Sequence, residues 1–125
     1  DKPELWRRSI YRYTVRTTPN RFLTTLDCPD PANMTPKRQT TTTPLQSLAL
    51  YNNDFMLRQA GYLAERVQQD VGSEQPAQII RAFELALARR PTSNELHLAT
   101  DFISKQGLFA LCRSLFNSNE FVYLD

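Results

Sequence analysis

Apolar residues beyond position 53 recur every three to four positions, the spacing that places them on one face of an α-helix. Asn53 precedes the first run as a capping residue, and Thr92 and Glu95 have the spacing of a capping box before the third. The four predicted apolar faces are Met56, Ala60, Leu63, Ala64 and Val67, then Ile79, Ile80, Phe83, Ala86 and Leu87, then Leu96, Ala99, Phe102 and Ile103, then Leu108, Leu111, Cys112, Leu115 and Phe116. This pattern predicts consecutive amphipathic helices joined by short turns.

A polar segment, Leu26 to Asn53, precedes these helices and contains four prolines and five threonines. It cannot fold by burying apolar surface, so we expect its shape to come from fixed proline torsions and from side-chain hydrogen bonds to the backbone. Thr43 and Pro44 are typical of a helix start, with Thr as the N-cap. The short helix that follows is expected to bury one apolar face, formed by Leu45, Leu48, Ala49 and Leu50.

The N-terminal segment supports two interpretations. Between residues 6 and 13 the aromatic and aliphatic residues fit helical spacing, and from residue 11 to residue 15 they also alternate with polar residues as in a strand. The β-branched and aromatic content favours a strand from about Ser9 to Val15. No second strand is evident to pair with it, so the helical interpretation stays open.

These patterns predict a mainly α fold. We expect a single domain over residues 1–125, in which residues 1–43 form a basic N-terminal segment and a long ordered loop, and residues 44–125 form a bundle of four to five helices. The chain begins at Asp1 without a Met or a signal-peptide pattern, and we expect it to be a piece of a longer, processed protein. No run of eighteen apolar residues occurs, so we expect no transmembrane segment.

The charge of the chain is uneven. Residues 1–38 hold eight basic and four acidic residues, whereas residues 39–125 hold seven basic and nine acidic residues. A basic segment interleaved with aromatic residues is one signature of single-stranded nucleic-acid binding. Arginines that extend to solvent around inward-packed aromatic residues explain the same pattern, and we favour that interpretation.

Two acids and one base in the polar segment are the main candidates for chemistry. Asp27 lies two residues before Pro29, and Asp30 lies between Pro29 and Pro31. Asp side chains near prolines typically cap turns by accepting backbone N–H bonds. They would also suit a hard cation such as calcium, but two carboxylates are too few for a closed site and no EF-hand pattern is present. Arg38 is placed to bridge one of these carboxylates with a bidentate pair and so fix the loop.

The cysteines and the histidine suggest no metal or haem site. The chain has two cysteines, Cys28 and Cys112, without a CxxC or CxxCH motif, and its one histidine is His97. A Cys28–Cys112 disulfide would require an oxidising compartment, whereas Cys112 on an apolar helix face is typical of a buried free thiol. The sequence leaves these alternatives open.

Several blocks of the chain resemble the DUF1553 domain, also called the planctomycete-type PSD1 domain. They are RRSIYRYTVRT, LDCPDPANMTPKRQTTTTPLQSLALYNNDFMLRQA, AFELALARRPTSNEL and LFNSNEFVYLD. Positions that match the family pattern are Arg7, Arg8, Ser9 and Tyr11, then Asp27, Pro29, Asp30, Arg38, Thr43, Pro44, Leu45, Gln46, Leu48 and Asn52, then Asn117, Ser118, Asn119, Glu120 and Phe121.

The resemblance implies a context for the chain. Such domains are typically the C-terminal part of large exported proteins whose upstream region carries a cytochrome c domain, so we expect an exported protein in the periplasm or cell envelope of a planctomycete-like bacterium. We expect no cofactor in this chain, with haem c confined to the parent protein. The expected partner is the upstream domain of the same polypeptide, and we expect no nucleic-acid partner. The oligomeric state is not predicted.

Two functions fit this context. The favoured one is an accessory interaction domain that docks on the upstream domain through Asp27–Asn53. Its candidate docking residues are Asp27, Asp30, Arg38, Thr43, Gln46 and Asn52. The alternative is part of an enzyme site, completed by upstream residues, that uses Asp27, Asp30 and Arg38. No catalytic residue can be assigned, because acid–base chemistry by an Asp needs a neighbour that shifts its pKa and the sequence shows none.

Overall fold

The part of the chain that the structure describes is mainly helical. The structure, a computed structural model, describes residues 8–11 (backbone only for Ile10), 13, 15, 17–29, 41 and 43–123. The elements are a 3-10 helix at Ser9–Tyr11, α1 (Arg21–Thr25), α2 (Pro44–Asn52), α3 (Asp54–Val71), α4 (Gln75–Leu87), α5 (Ser93–Gln106), α6 (Leu108–Phe116) and α7 (Asn119–Val122). The predicted mainly α fold is confirmed.

The strand predicted from Ser9 is wrong where the structure describes it. Residues Ser9–Tyr11 form a single 3-10 turn in which the N–H of Tyr11 donates to the carbonyl of Arg8 at 2.9 Å. The side chains of Tyr11 and Tyr13 are exposed. A strand without a neighbour leaves its backbone groups unpaired, whereas a local turn satisfies some of them within the segment.

The chain divides into two compact units, residues 1–46 and residues 47–125, and α2 begins in the first unit and ends in the second. In the first unit the described helices are the 3-10 turn, α1 and the first turn of α2. That residues 1–125 act as a single domain stays a prediction.

The second unit has an apolar core made by α3, α4, α5 and α6. Its most deeply buried residues come from α3, α4 and α6, namely Ala60, Val67, Ile79, Ala82 and Cys112, each with an exposed fraction of 0%. Full burial of a side chain the size of Val67 or Ile79 contributes about 1.5–3 kcal/mol. The four apolar faces predicted from periodicity all contribute to this core.

The helix boundaries in the second unit follow local signals. Asn53 caps α3 by accepting a hydrogen bond from the N–H of Phe55 at 2.9 Å. Gly72 and Gly107 end α3 and α5 with φ of 71° and 84°, a backbone region that glycine adopts at little cost. Gln78 is buried because its Nε2 donates to the carbonyl of Gly72 at 2.6 Å.

The predicted buried face of α2 is wrong in part. Leu45 and Leu48 are 63% and 56% exposed, and Ala49 and Leu50 are half-buried. The buried residue of this helix is Gln46, with an exposed fraction of 7%. Helical periodicity predicts that the apolar side chains of a helix are buried. A polar side chain can be buried instead when its polar atoms are hydrogen-bonded, as those of Gln46 are.

Candidate functional site

Helix α1 places Asp27 at the entrance of the polar segment. The helix ends in a Schellman motif, in which the N–H of Asp27 donates to the carbonyl of Thr24 at 3.2 Å and the N–H of Cys28 donates to that of Leu23 at 3.0 Å. This turn needs a left-handed residue, and Asp27 has a φ of 56°. Asp tolerates that conformation better than most residues other than glycine, because its short polar side chain can bond locally.

The Asp27 carboxylate accepts hydrogen bonds from a distant part of the polar segment. The backbone N–H of Thr41 donates to Oδ2 at 2.6 Å, and the Thr41 hydroxyl lies 2.9 Å from both carboxylate oxygens. Gln46 Nε2 donates to Oδ2 at 3.1 Å, across 19 positions of sequence. Because the acceptor is charged, these bonds are stronger than neutral ones, and they tie the two ends of the segment together.

Gln46 links this carboxylate to the start of α2. Its N–H donates to the hydroxyl of Thr43 at 3.3 Å, while its Oε1 accepts from the N–H of Thr43 at 3.1 Å, which makes a capping box. Its Nε2 also donates to the hydroxyl of Thr41 at 2.9 Å. The amide therefore accepts through its oxygen and donates through its nitrogen, which a carboxylate at the same position cannot do. We call Asp27, Thr41, Thr43 and Gln46 the Asp27 centre.

The Asp27 centre has the chemistry of a loop cap. The N–H groups of Thr41 and Gln46 occupy the side of the carboxylate where a bound cation would have to lie. The geometry therefore favours the capping role predicted for Asp27 over calcium binding. Within residues 8–29 and 41–123, as far as these are described, no three His, Cys, Asp or Glu side chains are grouped to hold a metal ion. Asp30 and Arg38 lie outside the described residues, so their predicted bridge stays a prediction.

Asn52 contacts an arginine that the sequence analysis did not select. Arg113 of α6 donates from Nη2 to Asn52 Oδ1 at 3.1 Å and from Nε to the carbonyl of Tyr51 at 3.0 Å. The guanidinium carbon of Arg113 lies 3.7 Å from the centre of the Tyr51 ring. The available signal in the sequence was that Arg113 is the one charged residue of α6.

A second polar centre was also missed. Arg89 binds Glu95 through Nη1 and Nη2 at 2.9 and 2.7 Å, and binds Glu120 through Nε and Nη2 at 2.6 and 2.8 Å. Glu95 is at the same time half of the predicted capping box, which is confirmed, with Thr92. The guanidinium also lies 5.6 Å from the ring centre of Phe83. We call Arg89, Thr92, Glu95 and Glu120 the Arg89 centre.

Arg89 lies beyond the end of α4. Helix α4 ends at Leu87, and the following residue, Ala88, adopts a left-handed φ of 55°. The chain therefore turns before Arg89, which frees its guanidinium to reach α5 and α7. The signal available in the sequence was the pair of family blocks that contain Arg89 and Glu120.

The hydrogen bonds of the Arg89 centre shift the pKa of its three charged residues. Hydrogen bonds from Arg89, and then from Thr92, lower the pKa of Glu95 from 4.5 to about 2. The Arg89 guanidinium also lowers the pKa of Glu120, and the two carboxylates raise the pKa of Arg89. All three groups are therefore charged at neutral pH, and the cluster acts as a clamp rather than as an acid or base.

Neither cysteine forms a disulfide. Cys28 is exposed and Cys112 is buried, and both are free thiols. Burial raises the pKa of Cys112 to about 12, so this thiol stays protonated and unreactive at neutral pH.

None of the helices in the described part of the chain is long and apolar enough to span a membrane.

The described residues form a mainly helical chain in which the polar residues of the two centres act as caps and clamps. The chain belongs to the PSD1 family, whose members are described as proteins of unknown function (DUF1553), and residues 1–103 match that family. The predicted family is thus confirmed, and the closing LFNSNEF block lies beyond the matched residues. No curated protein and no solved structure matches the chain.

Proposed function

We propose that this chain is an accessory interaction domain of a large exported, haem-c-containing bacterial envelope protein. It docks on the upstream domain of the same polypeptide through Asp27–Asn53. The resemblance to the family supplies the context of export and haem. The chain itself has no CxxCH motif and a single histidine, so its residues do not fit covalent haem attachment and the haem belongs to the upstream region.

The observation that carries the proposal is the exposure of two leucines on α2. Leu45 and Leu48 are more than half exposed, whereas Gln46 is buried on the other side of the helix. A surface helix normally turns its leucines inward, since burial of each apolar side chain is favourable. Apolar residues three positions apart on an exposed helix face are the pattern by which a helix binds an apolar groove.

The Asp27 centre supports the same proposal. Its polar groups are used in hydrogen bonds that fix the path of the chain into α2. They serve to present the helix, which is what a docking segment needs, because a preformed surface loses less conformational entropy on binding.

The experiment is calorimetric titration of the chain into the separately expressed upstream region, at low and at high salt. We expect binding that Leu48→Glu weakens by at least about tenfold, because a charge would enter an apolar contact. Leu98→Glu is the matched control, since Leu98 is 60% exposed on α5 and lies outside the proposed segment.

Three outcomes would contradict the proposal. They are no binding by the wild-type chain, equal weakening by the Leu48 and Leu98 variants, and binding that is lost at high salt and indifferent to Leu48. The last would assign the contact to the basic N-terminal third instead. An activity of the joined regions that Asp27→Asn abolishes, with docking intact, would favour the enzyme alternative.

A further inference from the structure

The second half of α2 has little apolar packing of its own. Residues 47–52 include no buried side chain, and Ala49 and Leu50 are only half-buried. A helix of nine residues is marginal in isolation, so contacts from elsewhere must hold this end. Arg113 supplies such a contact from α6.

The geometry of Arg113 suits the end of a helix. The last carbonyls of a helix have no partner within it, and they form the negative end of the helix dipole. Arg113 donates to one of these carbonyls, that of Tyr51, and to the side chain of Asn52, and its guanidinium packs on the Tyr51 ring. A planar guanidinium can donate along its edge and stack with its face at the same time, which an ammonium group cannot do.

We propose that Arg113 is a positioning residue for the docking helix. It fixes the last turn of α2 on α6 and thereby holds Leu48 at the orientation in which it meets the partner, without touching the partner itself. This inference rests on the proposed docking function, and it names the residue that sets how strongly that surface binds.

The test uses Arg113→Met, which keeps the length of the side chain but removes its donors, and Arg113→Lys, which keeps the charge. Arg66→Met is the matched control, because Arg66 is an arginine of α3 that pairs with Asp70 at 3.2 Å on the same helix. The two readouts are hydrogen exchange of the backbone amides of residues 48–53 and the affinity for the upstream region.

We expect Arg113→Met to speed exchange of these amides by about tenfold and to weaken binding by about tenfold, because charge-assisted hydrogen bonds are lost. Exchange in the middle of α3 should not change. Arg113→Lys should rescue both readouts in part, and Arg66→Met should alter neither.

Unchanged exchange of residues 48–53 in Arg113→Met would overturn the proposal. So would weaker binding with unchanged exchange, since Arg113 would then contact the partner directly. If the wild-type chain does not bind the upstream region at all, the docking function fails, while the exchange measurement still decides whether Arg113 holds α2.

Discussion

The Asp27 centre and the Arg89 centre are built from the same local backbone features, but the central side chain is an acid in the first and a base in the second. Each contains a capping box, Thr43 with Gln46 in one and Thr92 with Glu95 in the other. Each also follows a helix end with a left-handed residue, which is Asp27 itself in the first centre and the residue before Arg89 in the second. A left-handed residue after one helix and a capping box before another thus occur in both clusters, although their charges differ.

The third residue of each helix, Gln46 in α2 and Glu95 in α5, explains the difference in charge. Gln46 uses its oxygen for the cap and has an NH2 group left to donate, so its further partner is the Asp27 carboxylate. Glu95 has acceptors only, so its further partner must be a donor, and Arg89 supplies it. An amide at this position therefore selects an acidic partner, and a carboxylate selects a basic one.

The two centres also differ in reach. The Asp27 centre joins residues of one polar segment, across 19 positions, and so acts locally beside the start of α2. The Arg89 centre joins the turn after α4 to α7, across 31 positions, and so closes the helical bundle. Phe116 and Phe121 support that closure with ring centres 4.8 Å apart. We therefore expect the second centre to govern global stability and the first to govern local order.

The largest expected effect is that of Arg89→Met. This variant removes the guanidinium that donates to both Glu95 and Glu120 and so joins α5 to α7. It should lower the Tm by several degrees. The loss should stop short of unfolding, since these side chains are a third to a half exposed and water screens them. Thermal unfolding by circular dichroism measures it, and a smaller loss than that of Glu120→Gln would contradict the central role of Arg89.

The same variant should change the acid sensitivity of the fold. The pKa of Glu95 is lower in the folded chain, about 2, than its ordinary value of 4.5. The stability that it contributes is therefore full above about pH 4.5 and is lost as the pH falls toward 2. Wild-type Tm should fall steeply across this window, and Arg89→Met should show a flatter profile.

Replacing Gln46 by Glu, and Glu95 by Gln, tests whether the third residue of each helix selects the charge of its partner. Gln46→Glu keeps the capping box but places a second carboxylate against Asp27, so it should destabilise the local structure around Thr41 by about 1–3 kcal/mol. Hydrogen exchange of the Thr41 amide measures this loss.

The reverse change, Glu95→Gln, keeps its cap and should cost less than Arg89→Met, because Glu120 still binds the arginine. If Gln46→Glu leaves exchange at Thr41 unchanged, the choice of Gln does not set the charge of the centre.

The smallest expected effect comes from the caps themselves. Thr43→Ala and Thr92→Ala each remove one hydroxyl that accepts from the third residue of its helix. Each should cost about 1 kcal/mol. We expect the Thr92 variant to lower the global Tm and the Thr43 variant to act mainly on exchange at the start of α2. An equal global loss from both would remove the distinction between the two centres.

Local signals predicted much of the second unit. The apolar faces of α3 to α6, the cap at Asn53, the capping box of Thr92 with Glu95 and the burial of Cys112 all follow from residues a few positions apart. The N-cap at Thr43 was predicted in the same way and is confirmed by its bond to Gln46. Such features depend on contacts within one or two helical turns, which sequence spacing describes directly.

The candidate site was predicted less completely. Asp27, Thr43, Gln46 and Asn52 were selected, and the structure shows that three of them lie in one centre while Asn52 lies with Arg113. Helical periodicity placed Leu45 and Leu48 in the core, whereas both are exposed. Periodicity gives the faces of a helix, but it does not say which face meets the rest of the protein.

The sequence by itself determined the mainly α fold, the apolar faces of α3 to α6 and the caps at Thr43, Asn53 and Thr92. These features depend on neighbours in the chain. Only the tertiary structure decided the contacts of Arg89 with Glu120 and of Arg113 with Tyr51, which span 31 and 62 positions. Those contacts depend on how the helices pack, since packing sets which distant charges come within hydrogen-bond distance of each other.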